Sequence, residues 1–562
     1  MGCLPRDASV STTADWFSHP AGLLLTKTIK LIQAKAVIKQ GLLATCFIAV
    51  MGLPAAAQAQ TGNAQLPNLG DGSELTSSAE RRMGERIARE IYRDPDYIDD
   101  PVIFEYVMSV WQPLLAAARL RGDLTAELDQ RFAFEIMLGK DRSVNAFALP
   151  GGYFGLHLGL LAVVGNRDEL ASVLGHELSH VTQRHISRLI SKQNTQSPWA
   201  IGAMILGVLA AAKSPDAANA LIVGGQAVAQ QSQLNFSRDM EREADRMGFG
   251  VMTQAGFEPR GVVTMFDKLQ QSNRLSDNGA YPYLRSHPLT TERIADMQGR
   301  IAPAAVANAR LAPEVTLEHA MITARAQVLS NSGVDALRAW APLAAALPPQ
   351  PGPGLTAQEK YQPVITLYGA ALAATRLRDF AGAAAPLAKL SAWSKDHEAA
   401  GRLYRLLSAE IALAAGDVPK AASHLAVNDT LLKAPDGRAG AVKSGRPEVV
   451  LGAMAALAGG KAKEAAEPLL IWVASHPRDA QAWQLLSSAH TASGQTLRAI
   501  RADAESQVAV LDYAAAADRL KAGQELAREL ARKGQADHFE ASIIDSRARQ
   551  VSALLREQAL ER

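Results

Sequence analysis

The first half of this 562-residue chain is best interpreted from one segment, Asp168-Glu169-Leu170-Ala171-Ser172-Val173-Leu174-Gly175-His176-Glu177-Leu178-Ser179-His180-Val181. Its apolar residues recur with helical spacing, and two acids stand in its first turn, which predicts a helix. On that helix His176 and His180 are four residues apart, so their imidazole rings project from one face, close enough to share a tetrahedral metal ion. Glu177 is placed to take a proton from a metal-bound water. The pattern His-Glu-x-x-His is typical of zinc hydrolases, and two ordinary helix histidines are the alternative.

A catalytic zinc needs a third protein ligand and one open coordination position. Residues 236–245, sixty residues further along, have a helical pattern in which Glu241 and Asp245 face the same way. Glu241 can therefore bind the metal while Asp245 orients a ligating imidazole through its other nitrogen. Glu243 points elsewhere on this helix and is expected to be solvated or paired with a neighbouring arginine. A charged helix face without a role in metal binding is the alternative for the whole segment.

The residues around these two segments predict a region of mixed α and β structure between residues 79 and about 301. Residues 80–92 and 103–120 have the pattern of amphipathic helices, and residues 132–138 and 144–149 that of strands. Pro150-Gly151-Gly152 predicts a turn, after which residues 153–164 form either a third strand or the start of a buried helix.

From about residue 313 to 562 the chain is rich in alanine and leucine, with helical periodicity and almost no strand signal. Two helix–turn–helix patterns follow one another, and their turn glycines, Gly460 and Gly494, are 34 residues apart. That period, together with Trp483, Leu486 and Ala489, resembles a tetratricopeptide repeat, whereas an irregular helical array without a recognition role is the alternative.

The N-terminus has the three parts of a secretory signal peptide. Lys27, Lys30, Lys35 and Lys39 form a basic stretch, the apolar run at 41–53 follows, and Ala57-Gln58-Ala59 provides a cleavage site. The apolar run is shorter than the roughly 20 residues that a membrane-spanning helix needs. We therefore expect cleavage after residue 59, with residues 60–78 as a linker, whereas a retained membrane anchor is the alternative. Both cysteines, Cys3 and Cys46, would leave with the signal peptide, so the exported chain would form no disulfides.

Residues 199–212, between the two segments that carry the metal ligands, contain no charged residue. The stretch is too short to cross a membrane, so a buried core helix is the first interpretation. A lid or a membrane-surface element near the cleft is the second.

The charge composition of the chain limits the classes of partner that we expect. Lysine and arginine number 58 and aspartate and glutamate 56, without a long basic block. Nucleic acid is therefore not an expected partner.

The motif residues, together with residues 145–152 and 286–294, resemble peptidase family M48, a family of zinc metallopeptidases. The resemblance implies an α+β zincin-like peptidase domain at 79–305, mostly helical with a small sheet, followed by the all-α tetratricopeptide-like domain at 313–562. It also implies one zinc ion per chain, bound by His176, His180 and Glu241, with Glu177 as the general base. The family assigns a proton donor to the position of Asp245, whereas the residues themselves favour the orienting role.

The same resemblance draws attention to His287, which matches an additional histidine of the family that can approach the metal. It would plug the open coordination site at rest or stabilise the oxyanion, and a turn histidine before Pro288 is the alternative. Arg293 would help by its charge or form an ordinary helix salt bridge. His185 is expected to be a surface residue of the motif helix.

An exported M48-like peptidase followed by helical repeats implies a periplasmic enzyme. Its expected substrates are unfolded or misfolded outer-membrane proteins, and its repeats would dock it to the outer-membrane assembly machinery, with peripheral membrane contact possible. The alternative is a chaperone or adaptor for outer-membrane protein assembly, in which the repeats act and the metal site is quiescent.

Overall fold

The computed structural model describes residues 75–192, 237–275, 281–301, 316–426 and 445–559. All of them lie within one compact unit, Asp71–Arg562. The predicted signal peptide, most of the linker and the uncharged stretch at 199–212 lie outside the described residues. The predictions about export, cleavage and a lid therefore stay predictions.

The first part of the unit contains four short strands among helices, as the sequence predicts. Its helices are α1 Ser77–Arg93, α2 Pro101–Arg121, α3 Ala126–Arg131, α4 Leu158–Leu161, α5 Arg167–Thr182, α6 His185–Lys192, α7 Arg238–Gln254, α8 Arg260–Leu275, α9 Pro282–Ser286 and α10 Thr291–Arg300. Its strands are β1 Tyr97–Ile98, β2 Glu135–Gly139, β3 Ala146–Leu149 and β4 Tyr153–His157. Residues 153–164, predicted as strand or helix, contain both.

The four strands form one sheet in the order β1-β2-β4-β3. β2 and β4 run parallel, while β1 and β3 are antiparallel to their neighbours. The predicted strand at 132–138 begins only at Glu135, because Phe134 has a φ of 46° and interrupts the extended backbone. This order puts β3 at an edge of the sheet, packed against the motif helix α5.

The turn between β3 and β4 depends on two glycines. Gly151 and Gly152 have φ values of 71° and 77°, which residues with a Cβ rarely adopt. A Cβ on Gly151 would also lie 2.7 Å from Cα of Arg81, so α1 packs directly on this turn. The predicted turn is confirmed, and it fixes the edge strand beside the site.

Helix α2 is the one described helix long and apolar enough to cross a membrane by length and composition alone. Its apolar residues, among them Val107, Val110, Trp111 and Leu114, are fully buried in the largest hydrophobic cluster. Core packing therefore accounts for its composition.

All described residues after 316 are helical or lie in turns between helices. The helices are α11 Leu317–Ser330, α12 Val334–Arg338, α13 Trp340–Ala346, α14 Ala357–Arg376, α15 Phe380–Ser394, α16 Glu398–Ala414, α17 Val418–Leu425, α18 Arg446–Ala458, α19 Ala462–Ser475, α20 Ala480–Ala492, α21 Thr496–Ala509, α22 Tyr513–Arg532 and α23 His538–Ala559. The predicted turns at Gly460 and Gly494 are confirmed, with φ values of 74° and 73°. Assignment of this helical region to tetratricopeptide repeats stays a prediction.

The C-terminal helices pack against the sheet and α1. One hydrophobic cluster joins Ile87 and Met137 of the first part to Leu520 and Ile544 of the last two helices. The helical region is thus attached to the same sheet whose edge strand borders the motif helix.

Candidate metal centre

Helix α5 carries the His-Glu-x-x-His motif through the interior of the first part. Asn166 caps the helix, since its side chain accepts a hydrogen bond from the amide of Glu169. His176 and His180 are 5% and 0% exposed, and their Nε2 atoms lie 3.0 Å apart. The predicted orientation of both rings towards one point is confirmed.

Helix α7 crosses α5 closely and delivers the two predicted carboxylates. The crossing point has a glycine on each helix, because a Cβ on Gly248 would lie 2.9 Å from the amide nitrogen of His176 and 3.0 Å from the carbonyl carbon of Gly175. Glu241 and Asp245 are both buried and face the motif histidines. The sequence analysis did not single out these two glycines, although their absent side chains permit the approach.

His287, in the turn after α9, completes a cluster of four donor groups. Its Nδ1 lies 3.3 Å from Nε2 of His176 and 3.0 Å from Oε1 of Glu241. The Glu241 carboxylate lies 3.5 Å from Nε2 of His176 and 3.5 Å from Nε2 of His180. The structure therefore brings together all four residues predicted as metal ligands.

These separations can be compared with the geometry of a zinc site. Two ligand atoms bound at about 2.1 Å to a tetrahedral zinc ion are about 3.4 Å apart. The distances of 3.0 to 3.5 Å between the donor atoms match that value. Zinc is commonly bound by neutral imidazole nitrogens and carboxylate oxygens, and this cluster offers three imidazoles and one carboxylate. The residues therefore fit a zinc ion.

Glu177 lies beside this cluster without a hydrogen bond to another side chain among the described residues. Both of its carboxylate oxygens are buried, the backbone N–H of Ala148 on β3 faces them, and Nε2 of His287 lies 3.5 Å away. Burial raises the pKa of this carboxyl group above its usual range. A buried carboxylate next to four groups that could bind a metal ion is suited to hold and release a proton.

Glu241 has the opposite electrostatic environment. Burial alone would raise the pKa of its carboxyl group, but His287 and His176 hold that pKa well below its usual range. Glu241 therefore stays ionised, as a metal ligand must.

Asp245 and Arg293 support the outward-facing nitrogen of His176. Asp245 Oδ1 lies 3.0 Å from Nδ1 of His176, and Arg293 holds the same carboxylate with two hydrogen bonds of 2.6 and 2.7 Å. Nη1 of Arg293 also lies 2.9 Å from Oε2 of Glu241. The geometry fits the orienting role for Asp245, and it places the charge of Arg293 inside the site rather than in a salt bridge along its own helix.

The prediction that His185 is a surface residue of the motif helix is wrong. His185 is 0% exposed and begins the separate helix α6, because α5 ends at Thr182 and Arg184, with a φ of 54°, turns the chain back. Its ring lies against His180 on one side and Glu243 on the other. The predicted pairing of Glu243 with an arginine is confirmed, since Nη1 of Arg188 donates to it at 2.9 Å.

The comparisons with known proteins agree with this geometry. Residues 115–301 match the sequence model of peptidase family M48. A Vibrio cholerae protein, provisionally named a beta-barrel assembly-enhancing protease, is 35% identical over 298 residues, which are 52% of this chain and 58% of that protein.

Two further relatives are similar over shorter stretches. The beta-barrel assembly-enhancing protease of Escherichia coli is 33% identical over 266 residues, 47% of this chain and 52% of the relative. The mitochondrial metalloendopeptidase OMA1 of Arabidopsis thaliana is 33% identical over 161 residues, 29% of this chain and 30% of the relative. This chain thus spans little more than half the length of the two bacterial relatives. Residues 115–301 are thus similar to peptidase family M48, and the four buried donor groups have a geometry that fits the zinc ion of a metallopeptidase.

Proposed function

We propose that this chain is a zinc-dependent endopeptidase of the periplasm that cleaves unfolded or misfolded outer-membrane proteins. The observation that carries the proposal is the convergence of four buried donor groups with the buried carboxylate of Glu177 beside them, which has no hydrogen bond to another side chain among the described residues. A purely structural zinc site would gain nothing from a buried base, which costs folding free energy.

In this proposal His176, His180 and Glu241 hold the zinc ion. When bound there, zinc polarises the peptide carbonyl and lowers the pKa of the attacking water towards neutrality. Glu177 accepts the proton of that water and passes it to the leaving amine, for which its raised pKa suits it. Asp245, held by Arg293, keeps the proton of His176 on Nδ1, so that Nε2 remains free for the metal.

His287 is proposed to occupy the fourth ligand position at rest. Its Nδ1 lies as close to the other donor atoms as they lie to one another. Since the ring sits on a turn rather than inside a helix, it can withdraw when a substrate carbonyl enters. It would then stand near the developing oxyanion.

The substrate is proposed to bind as an extended strand along β3. Two observations support this placement: β3 is an edge strand of the described sheet, and it packs against the helix that carries Glu177. Pairing through main-chain hydrogen bonds depends little on sequence, as an enzyme that removes misfolded chains requires.

The partners are inferred from the names of the bacterial relatives, which refer to β-barrel assembly. We infer that the helical region after residue 316 docks the enzyme to the outer-membrane assembly machinery, as stacked helix pairs form concave binding surfaces. Export by the predicted signal peptide would bring the chain to that compartment.

Cleavage of an unfolded β-barrel protein by the purified chain, beside Glu177→Gln at equal zinc content, tests the peptidase assignment. We expect cleavage by the wild type and a loss of several orders of magnitude in the variant, because the base is removed and the ligands remain. Equal cleavage by both would point to a contaminating protease and contradict the assignment.

Inactivity of both proteins with zinc bound would require a second variant, His287→Ala. Activity that appears in this variant would support the plug. Continued inactivity would favour the second candidate, an adaptor with a quiescent metal site, which the closely packed four-donor cluster also permits.

A further inference from the structure

Each of the two motif histidines has one ring nitrogen in the donor cluster and one that faces away from it. The outward nitrogen of His176 meets the carboxylate of Asp245. The outward nitrogen of His180 meets a different group, because its Nδ1 lies 3.0 Å from Nδ1 of His185. The two rings are nearly perpendicular, at 76°, and both residues are 0% exposed.

The far side of the His185 ring is held as well. Its Nε2 lies 3.0 Å from Oε2 of Glu243, and the same oxygen accepts a hydrogen bond of 2.9 Å from Arg188. His185 and Arg188 are both on α6, whereas Glu243 is on α7, so the contact ties the two helices together next to the site.

The protons of this chain of contacts follow from the role of His180. A histidine that binds a metal through Nε2 carries its proton on Nδ1 and donates it. Nδ1 of His185 must then accept, which leaves the proton of the neutral His185 ring on Nε2. That nitrogen faces the carboxylate of Glu243, which can only accept when ionised. All three groups are satisfied by one arrangement of protons.

We propose that His185, oriented by Glu243, is a positioning residue that fixes the ring and the protonation site of His180 for zinc binding. The inference rests on the proposed function in one respect, namely that His180 binds zinc. It adds a second support to the site, separate from the support of His176 by Asp245. Because a neutral ring replaces the carboxylate, this support leaves His180 a less basic ligand than His176.

The inference is tested through the affinity for zinc, measured by competition with a chelator at fixed pH. His185→Phe keeps an aromatic ring and removes both hydrogen bonds, so we expect the affinity to fall about 10- to 100-fold, the usual effect of losing such a support. His185→Asn can place its amide oxygen where Nδ1 stood and is expected to retain most of the affinity. Glu243→Leu, at a half-exposed side chain, is expected to fall between them.

The matched control is His319→Phe. His319 is another buried histidine, 1% exposed, bonded to Tyr106 and to the carbonyl of Val164, away from the donor cluster. We expect this variant to lose thermal stability while it binds zinc as the wild type does. The visible absorption of the cobalt-substituted protein gives a second readout, which should change in His185→Phe and not in His319→Phe.

Equal zinc affinity of the wild type and His185→Phe would overturn the inference, as would equal losses in His185→Phe and His185→Asn, which would indicate packing alone. Should His185→Phe fail to fold, Glu243→Leu decides, and an unchanged affinity there refutes the pair. A wild type that binds no zinc would refute the proposed function itself. If the wild type binds zinc but cleaves nothing, only the proposed peptidase function is contradicted, and the comparison of zinc affinities still tests the role of His185.

Discussion

The metal centre and the junction between the two parts of the chain both bury charged side chains, but the two regions differ in how these charges are paired. At the junction, Arg325 of α11 holds Asp100 with hydrogen bonds of 2.7 to 3.0 Å and Glu410 with one of 2.8 Å. Arg446 of α18 bonds in the same way to Asp99 and Asp479. Each of these two arginines lies within 3.0 Å of two carboxylates of opposite charge.

At the metal centre, in contrast, the carboxylate of Glu177 has no hydrogen bond to another side chain among the described residues, and Nε2 of His287 lies 3.5 Å from it. Burial without a partner is costly, so such groups persist where a ligand or a reaction uses them. The two regions therefore differ in one carboxylate, since Glu177 is buried without an arginine partner among the described residues, whereas the carboxylates at the junction each have one.

The largest effect is expected from breaking the junction. Arg325→Leu leaves the buried carboxylate of Asp100 without its partner, so we expect the free energy of unfolding to fall by about 3–5 kcal/mol. Urea titration measures it, with zinc affinity expected to be unchanged. Arg119→Leu is the control, because the Arg119–Asp129 pair is largely exposed and its loss should cost less than about 1 kcal/mol. Similar losses in both variants would remove the distinction between the regions.

A smaller effect is expected from lowering the pH at the junction. Burial lowers the pKa of His319 to about 4, whereas a histidine in the unfolded chain has a pKa of about 6.5. Between those values the unfolded chain binds a proton that the folded chain does not, so the free energy of unfolding falls as the pH is lowered and is unaffected above the window. The shift corresponds to at most about 3 kcal/mol.

The contribution of this ring is measured by comparing unfolding in wild type and His319→Phe between pH 7 and 4. The variant should show the shallower decline, since it lacks the titrating group. Parallel curves would show that the buried ring does not contribute.

At the metal centre, Asp245→Asn is expected to weaken zinc binding about 10- to 100-fold, because it removes the charged acceptor of the His176 proton. Asp239→Asn, on the exposed side of the same helix, is the control and should bind zinc as the wild type does. Chelator competition gives both values. An affinity in Asp245→Asn equal to that of its control would leave Arg293 and Asp245 with a purely structural role.

The smallest effect has the opposite sign from the first. In the metal-free protein, Glu177→Gln should raise the free energy of unfolding by about 1–2 kcal/mol, because it replaces a buried carboxylate that has no hydrogen bond to another described side chain with a neutral group. The raised pKa of Glu177 has the same cause. Thermal unfolding of both metal-free proteins measures the difference, and a destabilised variant would place Glu177 with the paired charges of the junction.

Local patterns predicted the elements of the site well. The spacing of His176 and His180 and of Glu241 and Asp245 predicted two helices and the face that each turns to the metal, because helical periodicity is local. The resemblance to the family added His287. The strand at β3 and the glycine turn after it were also predicted from neighbouring residues alone.

Contacts across the chain were harder to predict. His185 was placed on the surface because the motif helix was assumed to continue, whereas the left-handed backbone of Arg184 turns the ring inwards. The close crossing at Gly175 and Gly248 joins residues that are far apart in the sequence. The partners of Arg293 were equally undetermined, because the local sequence is also compatible with a salt bridge to another residue of the same helix.

Short segments of the sequence predicted which side chains form the candidate site, since ligand type and helical spacing are local properties. The pairing of the buried charges, in contrast, follows from the tertiary fold. Pairing depends on the packing of α7 on α5 and of α11 and α18 on α2, and on the hydrogen bonds between α6 and α7. A short segment does not encode the position of its distant neighbours.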